Sequence, residues 1–130
     1  MQAYLLDTHT LIWLARSPEK VPLRTRELLS ASHAKRFVSA VTAIELTTKY
    51  RNGKLPEAET FINDWDGSLS KLMADEIPLT ARQGFRAGLL DWAHRDPFDR
   101  MLAAQAIDLD IPLISIDPAM STLPALKVVW

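Results

Sequence analysis

Short apolar runs alternate with segments of helical periodicity along this sequence, and this alternation constrains the fold more than any other feature. Five runs predict strands, with the one that contains Pro78 at a sheet edge, because proline is poor in a central strand. They cover residues 3–6, 36–39, 76–79, 111–116 and 126–130. Helices are predicted at 8–15, 23–32, 41–52, 56–74 (with a break near Gly67), 80–90 and 96–109. Such alternation predicts parallel pairing and a three-layer α/β/α sandwich with a central parallel sheet.

Composition predicts a packed globular protein and excludes several kinds of site. The 130 residues are 48% hydrophobic and 24% charged, which fits one domain over residues 1–130. The absence of cysteine excludes disulfides, thiolate zinc sites and cysteine nucleophiles. A net charge of −1 opposes a role in coating nucleic acid, but not an enzyme whose acids surround a metal ion. With no signal-peptide pattern and no run near the roughly 20 apolar residues that span a bilayer, we expect a cytoplasmic protein and no membrane partner.

Acidic residues lie where the predicted strands end. Asp7 follows the first strand, Glu45 lies in the first turns of the helix after the second, and Asp117 follows the fourth. In a parallel sheet, the carboxyl ends of strands and the N-termini of the next helices share one edge, so these acids can converge. Asp96 and Asp99 begin a helix with no predicted strand directly before it, which leaves their edge open.

A shared cation site would explain why carboxylates gather at one edge. Mg²⁺ and Mn²⁺ are hard cations that prefer oxygen ligands, whereas carboxylates without a cation repel one another. One or two such ions can activate water for phosphodiester hydrolysis. The hydroxyls of Thr8 and Ser115, which lie beside or near these acids in the sequence, can orient a water or a carboxylate, or cap a helix or turn.

Each acid also has a purely structural interpretation. Asp7 and Asp96 suit the N-cap position of the helices that follow them. Glu45 matches the last position of a capping box that begins at Thr42, and Asp117 precedes a proline in a plausible turn. The residues alone leave both interpretations open.

Four stretches of the chain resemble PIN domains, and most closely the VapC-type toxins among them. In family order they are LLDTH at 5–9, VSAVTAIEL at 38–46, RDPFDRMLAAQA at 95–106 and PLISID at 112–117. Each motif is short, but the ordered set spans nearly the whole chain.

The resemblance implies a PIN-like parallel sheet flanked by helices and a Mg²⁺- or Mn²⁺-dependent endoribonuclease. It places Asp7, Glu45, Asp99 and Asp117 at the four acidic positions of the family, as catalytic residues and metal ligands. Asp96, in the Asp-Pro-Phe-Asp signature of one branch, is an accessory candidate. The resemblance also implies a homodimer and, for the toxin of a type II toxin–antitoxin pair, a cognate antitoxin.

Two arginines flank the acidic motif and are candidates for binding RNA. Arg95 and Arg100 can hold phosphates through charge-assisted hydrogen bonds. The structural alternative for Arg100 is an ion pair with an acid on its own helix.

Two other classes of function also place acids at strand ends or keep a PIN-like fold. A receiver-type signalling domain wants a paired acid after the first strand, but Asp7 stands alone there and Lys127 lies too far past Asp117. A catalytically inactive PIN-like module that binds a partner protein is the other alternative, which four filled acidic positions oppose. The sequence does not identify the RNA, the number of ions, the choice between Mg²⁺ and Mn²⁺ or the antitoxin.

Overall fold

Five parallel strands form the central sheet of the computed structural model, which describes residues 2–130. The strands are β1 (Ala3–Leu6), β2 (Lys35–Ser39), β3 (Ala74–Ile77), β4 (Leu113–Ile114) and β5 (Val128–Val129). Their order across the sheet is β3-β2-β1-β4-β5, which places β1 in the centre and β3 on an edge. The α/β fold with a central parallel sheet is therefore confirmed.

Helices cover both faces of this sheet. They are α1 (Thr8–Arg16), α2 (Leu23–Ser30), α3 (Ala40–Arg51), α4 (Glu59–Asn63), α5 (Trp65–Lys71), α6 (Ala81–Leu89) and α7 (Pro97–Leu109). Tyr4 and Leu6 of β1 pack into a core with α1 to α5, whereas Leu5 packs on the other face against α7. Strands with two buried faces need no polar alternation, which explains their apolar runs. Within residues 2–130, no helix has both the length and the apolar character needed to cross a membrane.

Capping residues set the helix ends that position the site. Asp7 is the N-cap of α1, and Asp96 is the N-cap of α7 with Pro97 in the first turn. Gly53, with a φ of 71°, follows the last residues of α3 in the left-handed conformation that favours glycine. The C-cap of α7 is Asp110, which has a φ of 52°.

Several predicted elements differ from the structure. The strand predicted at 76–79 lies at Ala74–Ile77, which leaves Pro78 outside it, and the strand predicted at 126–130 shortens to Val128–Val129. The helix predicted at 56–74 is divided into a 3₁₀ turn (Pro56–Ala58), α4 and α5, and the helical break lies at Asp64 rather than near Gly67. The Asp64 carboxylate accepts a 3.0 Å hydrogen bond from the Gly67 N–H and starts a new helix. The strand predicted at 111–116 shortens to β4, because the residues after it turn away to form the site described next.

Candidate metal centre

The adjacent carboxyl ends of β1 and β4 place three polar residues at one edge of the sheet. The main-chain N–H of Asp7 donates to the carbonyl of Ile114 at 3.0 Å, which fixes the two strands side by side. Asp7 follows β1, while Ser115 and Asp117 follow β4. Residues from distant parts of the sequence therefore meet where the strands end.

Asp7 is buried and bound on both carboxylate oxygens. Its Oδ1 accepts from the main-chain N–H of Thr8 at 2.7 Å, and its Oδ2 accepts from Ser115 Oγ at 2.5 Å. Burial raises the pKa of Asp7, and repulsion from Glu45 raises it further, although the two hydrogen bonds lower it. Asp7 thus acts as a helix cap and still carries an unfavourable negative charge.

Glu45 lies in the second turn of α3, with 3% of its surface exposed. Its Oε1 accepts from Thr8 Oγ1 at 2.5 Å, and its Oε2 forms a 2.6 Å ion pair with Lys49 Nζ. The capping-box interpretation is wrong, because α3 begins at Ala40 with Ser39 as its N-cap. Glu45 instead joins the cluster around Asp7.

Asp99 lies in the first turn of α7, which resolves the edge that the sequence left open. α7 leads directly into β4, so its N-terminus lies at the carboxyl edge of the sheet, as in other crossover helices. Asp96 Oδ1 accepts from the Asp99 N–H at 3.0 Å and is a helix cap. The pKa of Asp99 is raised to about 6, mainly by burial. The hydrogen bond from His94 lowers this pKa, and the negative charges of Asp96, Asp7 and Glu45 raise it.

Asp117 reaches the same cluster from the end of β4. Its N–H donates to Ser115 Oγ at 3.1 Å, and its Oδ1 accepts from the Ala119 N–H at 2.9 Å as the cap of a 3₁₀ turn (Pro118–Thr122). Within residues 2–130, one set of possible metal ligands has all its donor atoms within 4.8 Å of one another: His94, Asp99 and Asp117. Asp7 and Glu45 lie outside that set, but Ser115 connects Asp7 to Asp117.

The comparison with family models decides the identity of this fold. The model described as the PIN domain matches residues 4–126. The chain belongs to the PIN domain family. Its sequence has no significant match among curated proteins.

Solved structures with the same fold include bacterial VapBC complexes. One is a chain of VapBC2 from Rickettsia felis bound to a DNA fragment from their promoter. The superposition covers 98% of this PIN domain and 98% of that chain, with 21% identity and a TM-score of 0.73. For VapBC-1 from nontypeable Haemophilus influenzae the coverage is 98% of this chain and 97% of that chain, with 18% identity and a TM-score of 0.71. For FitAcB from Neisseria gonorrhoeae it is 98% and 96%, with 18% identity and a TM-score of 0.62. At these identities the likeness establishes the fold.

The donor set of this PIN domain fits a hard divalent cation. Asp7, Glu45 and Asp99 are at most 9% exposed, and Asp117 is half-buried. Burial and mutual repulsion raise the pKa values of Asp7 and Asp99, which is the strain that a bound cation relieves. Oxygen donors of this kind are the ligands that Mg²⁺ and Mn²⁺ prefer.

The two arginine candidates lie in different surroundings. Arg95 is exposed beside the acidic motif, where a phosphate can reach it. Each of the five N–H donors of Arg100 binds a main-chain carbonyl, and these belong to Ala87, Gly88, Leu90, Trp92 and His94. Arg100 therefore holds the segment between α6 and α7 in place. It forms no ion pair with an acid of its own helix, and in this conformation all its N–H groups are bound, so none is left for RNA.

Sequence reasoning missed two residues of the centre. The ion pair of Lys49 could have been predicted, because Lys49 lies four residues after Glu45 on one helix, a spacing that brings opposite charges together. Burial lowers the pKa of Lys49, but the hydrogen bond and charge of Glu45, with Asp96 and Asp99, raise it overall. The contact of His94 with Asp99 depends on the loop path, which no local pattern predicts.

Proposed function

We propose that this PIN domain is a Mg²⁺- or Mn²⁺-dependent endoribonuclease that acts in the cytoplasm as the toxin of a type II toxin–antitoxin pair. The observation that carries the proposal is the convergence of Asp7, Glu45 and Asp99, three buried acids, with Asp117 at one sheet edge. Membership of a family of typical nucleases supports the reaction.

Each side chain has a role in this proposal. Asp7, Glu45, Asp99 and Asp117 would hold the cation, which when bound supplies Lewis-acid activation of water and charge stabilisation at the scissile phosphate. Ser115 and Thr8 orient Asp7 and Glu45 by donating hydrogen bonds to them. Lys49 offsets part of the negative charge through its ion pair with Glu45. Arg95 is the remaining candidate for contacting RNA phosphates.

Protein partners are part of the same proposal. The similar folds come from structures described as VapBC complexes and as a toxin–antitoxin complex from Klebsiella pneumoniae, which supports a cognate antitoxin. On α6, Phe85 and Leu89 are 73% and 82% exposed, and such large apolar side chains at a surface support a protein contact, here a homodimer. Light scattering would test this, because a monomer at tens of micromolar protein would contradict the dimer.

Cleavage of total RNA by the purified protein tests the nuclease. We expect cleavage with Mg²⁺ or Mn²⁺, none with EDTA, and a loss of at least about a hundredfold in the Asp7→Asn variant. Asparagine keeps a side-chain oxygen that can cap α1, so folding is expected to persist, as judged by circular dichroism. Asp75→Asn, at an exposed acid on β3, is the matched control and should retain full activity.

Mapped cleavage ends decide between the nuclease and the inactive module. Ends that persist in EDTA, or in purified Asp7→Asn protein, would reveal a contaminating nuclease or a different mechanism. Calorimetry that detects no binding of Mg²⁺ or Mn²⁺ at millimolar concentration would favour the protein-binding module.

A further inference from the structure

His94 lies in the centre rather than beside it. Its Nε2 is 2.6 Å from Asp99 Oδ2, and its donor nitrogen, with one oxygen each of Asp99 and Asp117, forms the set that lies within 4.8 Å. Adjacent ligands of an octahedral ion with bonds of about 2.1 Å are about 3 Å apart, and opposite ligands about 4.2 Å. The 4.8 Å limit of the set is close to the span of opposite ligands, so small side-chain movements would bring all three side chains onto a single ion.

The surroundings of His94 hold the imidazole in place before any ion binds. Arg100 Nη1 donates to the His94 carbonyl at 2.9 Å, which fixes the main chain. The ring of Trp92 lies against the imidazole with centroids 4.9 Å apart, and Trp92 itself is fixed by a 2.8 Å hydrogen bond from its Nε1 to Thr122 Oγ1.

We infer that His94 is a nitrogen ligand of the divalent cation and that it shifts the preference of the centre from Mg²⁺ towards Mn²⁺ and later first-row ions. Mg²⁺ binds oxygen almost exclusively, whereas imidazole suits transition metals. Two carboxylates and one imidazole on a single ion therefore discriminate between Mg²⁺ and Mn²⁺ more strongly than carboxylates alone. The inference rests on the proposed function only in requiring that a divalent cation enters this site.

Two other roles would leave His94 off the metal. In one, Nε2–H donates to Asp99 Oδ2 and only orients that carboxylate; in the other, the imidazole contacts a phosphate of the substrate. Neither role gives a bond between nitrogen and the metal, so a measurement of that bond separates them from the inference.

Pulsed electron paramagnetic resonance of bound Mn²⁺ detects a coordinated nitrogen directly. In the wild-type protein we expect ¹⁴N modulation of the Mn²⁺ echo, which changes to a ¹⁵N pattern when the protein carries ¹⁵N-histidine; this arm needs no variant to fold. The modulation should vanish in His94→Asn. It should remain in His9→Asn, the matched control, because His9 is exposed and follows Asp7 by two positions.

Calorimetry gives the second readout, which is independent of cleavage. His94→Asn should weaken Mn²⁺ binding by about tenfold or more and Mg²⁺ binding by less than about threefold, so that the Mn²⁺ preference falls. Mn²⁺ binding and RNA cleavage without ¹⁴N modulation, or with modulation that persists in His94→Asn, would overturn this inference and leave the nuclease intact. Wild-type protein that binds no divalent cation would overturn both.

Discussion

The two halves of the acidic centre are held in place by different parts of the fold. Asp7 and Glu45, which we name the sheet half, receive hydrogen bonds from Ser115, Thr8 and Lys49. These donors belong to α1, α3 and the residue after β4, so the sheet and its first crossover fix the sheet half.

His94 and Asp99, which we name the loop half, depend on the start of α7 and on the segment before it. Their mutual contact is 2.6 Å long, and the segment that presents His94 has no regular secondary structure. Arg100 holds that segment by its main-chain carbonyls. The difference teaches that half of a candidate metal centre can follow from strand pairing, while the other half requires the half-buried guanidinium of Arg100 to shape a loop.

The largest expected effect lies in the loop half, at its carboxylate. Asp99→Asn removes a charge that burial and neighbouring acids already disfavour, so the fold should tolerate it, whereas cleavage should fall by at least about a hundredfold. Initial rates on a defined RNA with saturating Mn²⁺ measure the loss. An Asp99→Asn protein with near wild-type rates would show that the sheet half suffices.

Removal of the Arg100 hydrogen bonds should destabilise the loop half and leave the sheet half in place. Arg100→Lys loses the planar fork that serves five carbonyls, so we expect a fall of about 2–3 kcal/mol in the free energy of unfolding. Urea denaturation measures it, and Arg95→Lys, at an exposed position, should change it by less than about 0.5 kcal/mol. Equal stability of the two variants would contradict the role of Arg100 in holding the segment between α6 and α7.

The sheet half is tested by removing its counter-charge. Lys49→Met leaves the buried Glu45 carboxylate with only the Thr8 hydroxyl, and Lys49 is itself 31% exposed, so a loss of about 1 kcal/mol is expected in EDTA. Added Mn²⁺ should recover part of that loss, because it replaces the missing charge. Lys71→Met, at an exposed lysine of α5, is the control. The same loss of stability in both variants would contradict the role of Lys49 as the counter-charge of Glu45.

The metal-free protein should also show a stability that depends on pH. Folding raises the pKa of Asp99 to about 6 from an ordinary value of about 3.9, so its neutral form favours the folded state. This contribution to stability is complete below about pH 4 and is lost as the pH rises through about 6. The melting temperature in EDTA should thus fall more over this window in the wild type than in Asp99→Asn, and added Mn²⁺ should remove the difference. Parallel curves for the two proteins would contradict the raised pKa.

Sequence patterns predicted the sheet half better than the loop half, for a physical reason. Apolar runs predicted β1, β2 and the edge position of β3, and a residue that follows a parallel strand must lie at one edge, which is enough to place Asp7. Glu45 was placed by its position in the first turns of the helix that follows β2. These inferences need only periodicity and strand direction, both of which the sequence displays.

The loop half depends on contacts that have no period. No strand directly precedes Asp99, so its edge is set by the direction of α7 across the sheet, and the contact of His94 follows from the path of the preceding segment. The break at Asp64 was missed for a similar reason, since one side-chain hydrogen bond to the Gly67 N–H decides it. A Cβ at position 67 would lie 2.1 Å from Asp64 Oδ2, so a larger residue there would displace the carboxylate that caps α5.

The hydrogen bonds of Arg100 have a consequence for how sequences can vary around this centre. All its acceptors are main-chain oxygens, so the side chains at Asp91 and Ala93 are free to differ without disturbing the attachment. Insertion or deletion of a single residue there would instead move several carbonyls out of reach at once. We therefore expect tolerance of substitution but not of changed length between α6 and α7, which a small library of loop variants would reveal.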